Sequence, residues 1–217
     1  MIIDIHTHTY PTSDDSLLTP EDLIDEAKRI GLDGVCLTDH DRFWEPKDMA
    51  ALSRKHDYLV IPGCEVTTEE GHLLVYGLQE YIFGMHKAQF VKDLVDDAGG
   101  AIVVAHPYRR KYTKVAHTSP QALYEMLDYA CSSDVFSLAN AVEVFNGRGS
   151  KEENAFSAEV AKRLDMGGTG ASDAHKIEDI GTFATEFEAD IRDLDDFIGE
   201  LKAGRFRPRV LRKRANE

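Results

Sequence analysis

The feature that most constrains this chain is a recurring unit: a short, uninterrupted apolar run followed by an amphipathic helix. Residues 2–5 (IIDI) open the series. Thr19 as N-cap, Pro20 at the first helical position and Glu21 and Asp22 in the first turn then predict a helix that Gly31 ends. Further apolar runs fall at 34–38 (GVCLT), 58–62 (YLVIP), 72–77 (HLLVYG), 101–105 (AIVVA) and 141–145 (AVEVF), with GGTGAS at 167–172. Helices are predicted at about 46–56, 86–98, 120–131 and 151–165. Continuous apolar strands alternating with helices are the pattern of parallel strands buried on both faces. About seven such strands predict an α/β barrel in preference to an open sheet, and in either architecture sites collect at the carboxyl ends of the strands. No Pro/Gly/Ser linker interrupts the 217 residues, so a single domain over 1–217 is expected.

The residues at the strand ends are chemically selective. The first strand runs into His6 and His8, the second into Asp39, His40 and Asp41, and the third into Glu65; His72 opens the fourth run, His106 closes the fifth, and Asp173 and His175 follow the last. Six of the nine histidines thus fall where a parallel α/β protein builds its site. In an extended segment residues i and i+2 point to the same face, so His6 and His8 can reach one ion, and Asp173 and His175 repeat that spacing. Imidazole and carboxylate without thiolate suit Zn, Mn or Fe. Cys36, Cys64 and Cys131 are an odd number without CxxC spacing and read as buried thiols. His56, His86 and His117 sit on or near predicted helices or loops and stay outside the site.

The net charge of −14 is uneven. Seven basic residues (Lys202, Arg205, Arg207, Arg209, Arg212, Lys213, Arg214) lie in the last stretch, opposed there by Glu217 alone. An acidic body repels nucleic acid at long range; the basic segment at 202–214 either lies across that body, the favoured reading, or contacts a phosphate backbone. The apolar runs are far too short to span a bilayer, and MIIDIHTH has no basic region before an apolar stretch, so a cytoplasmic protein beginning here is expected.

The motifs DIHTH, TDHD, GCEVTT, the histidine of HLLVYG, AHP and SDAH resemble, in that order, those of the polymerase and histidinol phosphatase (PHP) family. They run from Asp4 to His175. The resemblance implies a distorted seven-stranded (β/α)7 TIM-like barrel and two or three divalent transition metals. His6, His8, Glu65 and Asp173 would hold the first; Glu65 would bridge to a second held by His72 and His106; His40, His175 and a carboxylate after His8 would hold a third. For that carboxylate the sequence offers both Asp14 and Asp15: counting from His8 favours Asp14, counting back from Pro20 favours Asp15, and Asp15 is chosen.

The implied activity is hydrolysis of a phosphomonoester, on a small molecule or nucleotide, by a metal-bridging hydroxide. Asp39 or Asp41 is assigned to orient His40 or shuttle a proton, and Arg109 to grip phosphoryl oxygens, with Arg110 as its non-contacting neighbour. Glu143 and Asn146, at another strand end, are candidate partners for ligand histidines. No large lid fits between His106 and Asp173, so an oligonucleotide end is an alternative substrate. Amidohydrolase-like C–N hydrolysis and a catalytically silent metal-binding module are further alternatives; the oligomeric state is open.

Overall fold

Local chemistry sets the element boundaries. Thr19 caps the first helix, its Oγ1 accepting from the Asp22 N–H at 3.1 Å, and Ser119 and Ser150 cap two later helices in the same way. Ser150 and Glu153 close a full capping box. The computed structural model describes residues 1–111 and 119–212; His117 and the tail residues Lys213, Arg214 and Glu217 lie outside that description.

The element order is β1 (Ile2–Thr7), α1 (Pro20–Arg29), β2 (Gly34–Leu37), α2 (Pro46–His56), β3 (Leu59–Pro62), β4 (Cys64–Thr67), β5 (His72–Tyr76), α3 (Ala88–Asp97), β6 (Ala101–Val104), α4 (Pro120–Cys131), β7 (Ala141–Asn146), α5 (Lys151–Arg163), β8 (Gly167–Ala171), β9 (Phe183–Phe187), α6 (Leu194–Ala203) and β10 (Phe206–Val210). All seven expected strands form, yet they do not make the expected seven-stranded barrel. The described strands belong to two five-stranded mixed sheets, ordered β10-β9-β1-β2-β3 and β4-β5-β6-β7-β8. Strands β1 to β3 are mutually parallel, as are β6 to β8; β4, β5, β9 and β10 introduce the antiparallel pairings.

Gly63 separates β3, formed by the expected run at 58–62, from β4, which was not expected. The chain passes there from the first sheet to the second, and a Cβ on Gly63 would lie 2.7 Å from the Tyr76 ring and 3.0 Å from Thr38 Cγ2. Only glycine fits that passage.

The apolar residues sort into three layers. Ile3, Ile5, Ile61, Leu74, Tyr76 and Val103 fill the space between the sheets, joined at one end by Phe197 and Leu201 of α6. Helices α1 and α2 cover the outer face of the first sheet, and α3, α4 and α5 that of the second. The sheets meet directly at two seams beside the carboxyl ends of the parallel strands. At one, the Asp173 N–H donates to His6 O (2.9 Å) and the His8 N–H to Ala174 O (3.0 Å). At the other, the Glu65 N–H donates to Thr38 O (3.1 Å) and the Asp41 N–H to Glu65 O (3.0 Å).

The basic C-terminal stretch is engaged by the body as far as it is described. Arg205 pairs with Glu200, Arg207 and Arg209 with Glu186 (2.9 and 3.1 Å), and Arg212 with Glu26 (2.5 Å), while Lys202 donates to Gly99 O at 2.7 Å. No helix among the described residues is long and apolar enough to cross a membrane.

Candidate metal centre

The two seams bring the strand-end residues together. β1 carries His6 and leads into His8, and β2 leads to His40; from the second sheet come Glu65 on β4, His72 at the start of β5, His106 after β6, and Asp173 and His175 after β8. The His6 and His8 Nε2 atoms lie 3.0 Å apart, as the i, i+2 spacing requires. Glu65 is the hub: its carboxylate oxygens lie 3.1 Å from both His6 and His8 Nε2, 3.2 Å from His40 Nδ1, 2.6 Å from His72 Nδ1 and 2.9 Å from His106 Nε2. Asp173 Oδ1 is 3.4 Å from His8 Nε2 and 3.8 Å from His6 Nε2. Asp15 Oδ2 reaches His175 Nε2 at 3.0 Å and His40 Nε2 at 3.6 Å, whereas no ion pair joins Asp14 to the cluster among the described residues.

A set of neighbouring groups fixes which imidazole nitrogens face inward. Glu143 lies inside: Oε1 accepts from His6 Nδ1–H at 3.0 Å, and Oε2 accepts from the His106 N–H at 2.8 Å and from Asn146 Nδ2 at 3.0 Å. Asn146 Nδ2 also donates to Asp173 Oδ2 at 3.1 Å. His175 Nδ1–H donates to Asp173 O at 2.9 Å. In each histidine so held the remaining Nε2 presents its lone pair to the cluster, the arrangement of carboxylate–histidine–metal sites.

That geometry tests whether divalent ions suit these residues. Two Nε2 lone pairs facing each other at 3.0 Å, against two buried carboxylates, repel unless positive charge lies between them. The titration behaviour agrees. Burial opposes charge on His6, yet the Glu143, Glu65 and Asp173 carboxylates push its pKa well above the usual imidazole range. Burial likewise opposes ionisation of Glu65 and Asp173, but the histidines around them, His6 foremost, hold both carboxyls below the ordinary range. At the exposed edge burial wins, lowering His40 and His175. The cluster therefore suits cations, and among the described residues four groupings could each hold an ion: His6, His8 and Glu65; His6, His106 and Asp173; Glu65, His72 and His106; and His8, His40 and His175.

Four further side chains near the cluster take partners that the sequence did not indicate. Arg109, assigned to grip phosphoryl oxygens, has its Nη1 paired with Asp173 Oδ2. Asp39, assigned to orient His40, instead bonds to Thr9, Ser13 and Trp44; Asp41 accepts from the Thr67 N–H at 2.8 Å. Arg148, which sequence reasoning passed over, lies with Nη1 at 2.8 Å from His175 Nε2 and 3.9 Å from Asp173 Oδ1. Its signal was present, two residues beyond Asn146 in EVFNGR.

Gly147, in the same turn, allows β8 to end where it does. A Cβ there would lie 2.2 Å from Ser172 O, next to Asp173. Gly147→Ala is expected to cost about 1–3 kcal/mol, the usual range for overpacking, and to weaken metal retention. Urea unfolding and metal analysis of the variant check this.

Solved structures with a similar fold carry descriptions of several kinds. The chain is similar to a structure described as a metal-dependent phosphoesterase from Bifidobacterium adolescentis (17% identity, 92% of this chain and 95% of that one, TM-score 0.57). It is also similar to an amidohydrolase from Chromobacterium violaceum solved with sulfate (20%, 99% of both chains, TM-score 0.61). A third similar structure is a lesion-specific endonuclease from Pyrococcus furiosus (16%, 95% of this chain, TM-score 0.61), of which this chain spans 57%. At such identities the likeness is one of fold. Family models speak more directly: one described as the PHP domain matches residues 4–145, and one described as PHP-associated matches 151–206, the stretch holding Asp173 and His175. The chain belongs to the PHP domain family.

Proposed function

We propose that this protein is a metal-dependent phosphoesterase that hydrolyses a phosphomonoester, with His6, His8, Glu65 and Asp173 holding one ion, Glu65, His72 and His106 a second, and Asp15, His40 and His175 a third. The observation that carries the reading is the convergence of five imidazoles on the buried Glu65 carboxylate, which suits Zn, Mn or Fe. Divalent ions bound there supply Lewis acidity and lower the pKa of water into the neutral range. The chain's own residues do the rest. Glu143 and Asn146 hold His6, His106 and Asp173 in place, and Arg109 and Arg148 approach Asp173 from the loops after β6 and β7, offering two guanidinium groups to a doubly charged phosphate.

A cavity of about 820 Å³ opens beside His72, His106 and Arg109 and extends to Tyr129 and Phe136, room for the leaving group of a small molecule or nucleotide. The engagement of the described basic tail by Glu200, Glu186 and Glu26 favours such a substrate over an oligonucleotide end. The test is phosphate release by metal-reconstituted protein from a panel of nucleotides, sugar phosphates, histidinol phosphate and short oligonucleotides. Release from a small monoester at rates above those on oligonucleotides is expected; fully metallated protein that releases no phosphate, or that cleaves only amides, overturns the reading.

Arg148→Ala is expected to retain its metal and lose roughly 10- to 100-fold in kcat/KM, the cost of one charge-assisted hydrogen bond. Steady-state kinetics on metal-loaded variants measure it. Arg109→Ala should add a loss of metal, because its guanidinium also supports Asp173.

A further inference from the structure

The carboxylate of Asp39 is fully buried and has four donors closed upon it. Oδ1 accepts from the Thr9 N–H (2.6 Å) and Ser13 Oγ (2.8 Å); Oδ2 accepts from Thr9 Oγ1 (2.9 Å) and Trp44 Nε1 (2.7 Å). With that many partners the group is held in place, which suits positioning and not proton transfer.

The direction of the bonds at Ser13 follows by elimination. The hydroxyl oxygen must accept from the His40 backbone N–H at 3.1 Å, since that group can only donate. Its single proton goes to Asp39, since a carboxylate can only accept. The remaining lone pair faces His8 Nδ1 at 3.3 Å, so that nitrogen must carry the proton and Nε2 must not. Among the described residues no carboxylate bonds to His8 Nδ1, whereas His6 Nδ1 has Glu143. We propose that Asp39 is a positioning residue which, through the Ser13 hydroxyl, holds His8 as the Nδ1–H tautomer and aims its Nε2 lone pair at the metal centre.

This rests on the metal-centre reading above, and zinc affinity separates the two: wild-type protein that binds no zinc fails that reading, while wild-type protein that binds zinc permits the following test. Zinc affinity is measured by competition with a chromophoric chelator. Ser13→Ala is expected to bind zinc about 10- to 100-fold more weakly, the range for residues that support a ligand. Ser13→Thr, which keeps the hydroxyl, should recover most of the loss. Asp39→Asn should weaken binding too, and the double variant should fall no further than the worse single one, since both act through one nitrogen. Trp44, the only tryptophan in the chain, reports on the Asp39 pocket through its hydrogen bond; its emission in metal-free Ser13→Ala should match wild type. Unchanged zinc affinity in Ser13→Ala, additive losses in the double variant, or no recovery in Ser13→Thr overturns the proposal. Weakened binding accompanied by altered Trp44 emission assigns Ser13 a merely structural role and overturns it equally.

Discussion

Glu65→Gln is expected to lose metal and phosphatase activity together, with zinc affinity reduced by at least about a hundredfold, beyond what loss of a supporting residue causes. Glutamine preserves the size of the side chain, so the seam hydrogen bonds made by the residue 65 backbone can persist. What changes is charge and donor count. Five imidazole nitrogens lie within 3.2 Å of the glutamate oxygens, and an amide replaces one of those oxygens with an NH₂ group. That group offers protons to nitrogens whose lone pairs are needed for a cation. His6 loses one of the carboxylates that raise its pKa, so its affinity for any positive charge, proton or metal, declines. Metal analysis after reconstitution, circular dichroism and phosphate release distinguish this from misfolding. A folded Glu65→Gln protein with full metal content and full activity would remove Glu65 from the centre.

How much of this was legible in the sequence depends on what each element exposes. β1, β2, β3, β5, β6 and β7 read as strands because they are largely buried apolar runs, and β8 because GGTGA follows a helix in the same recurring unit. β9 and β10 were missed because neither is an apolar run: Phe183–Phe187 carries Thr185 and Glu186 in its middle, and Phe206–Val210 alternates with Arg207 and Arg209, which both pair with Glu186. β4 was missed because a single glycine, Gly63, separates it from β3, and the change of sheet leaves no mark on local propensity. The antiparallel placement of β5 is equally silent in the sequence, since a strand buried on both faces looks the same in either direction.

For the centre, periodicity carried the strand-end histidines, because i, i+2 spacing is a backbone property. Glu143 was visible as a strand-end carboxylate, but its inward orientation was not, and β7 has an irregular register against β8 between Glu143 and Phe145. The protein partners of Arg109 and Asp39, Asp173 for the one and Thr9, Ser13 and Trp44 for the other, left no trace in the sequence. Loop side chains choose among several acceptors within reach, and only coordinates reveal which one wins.

Chelation of the metals is expected to lower the melting temperature by about 10 °C or more. The basis is topological as well as chemical. Among the described residues, the direct backbone-to-backbone hydrogen bonds between the two sheets cluster near the ligand residues, with Asp173 to His6, His8 to Ala174, Glu65 to Thr38 and Asp41 to Glu65 among them. Three of the four groupings suited to an ion combine residues from both sheets, the exception being Glu65, His72 and His106. An ion bound by such a grouping ties the sheets at the seam where their own pairing is sparse. Mass action gives about 4 kcal/mol for a ligand present at a thousand times its dissociation constant, and a chain of this size gains about 2–4 °C per kcal/mol. Without metal, the buried Glu65, Asp173 and His6 must also hold their charges against one another alone. Hydrogen exchange locates the effect. In chelated protein the amides of His8, Asp41, Glu65 and Asp173 should lose protection while those inside β5 and β6 keep theirs. A melting temperature unchanged by a strong chelator, with metal loss verified, would mean that the sheets are held by the apolar layer between them and that the ions contribute nothing to their junction.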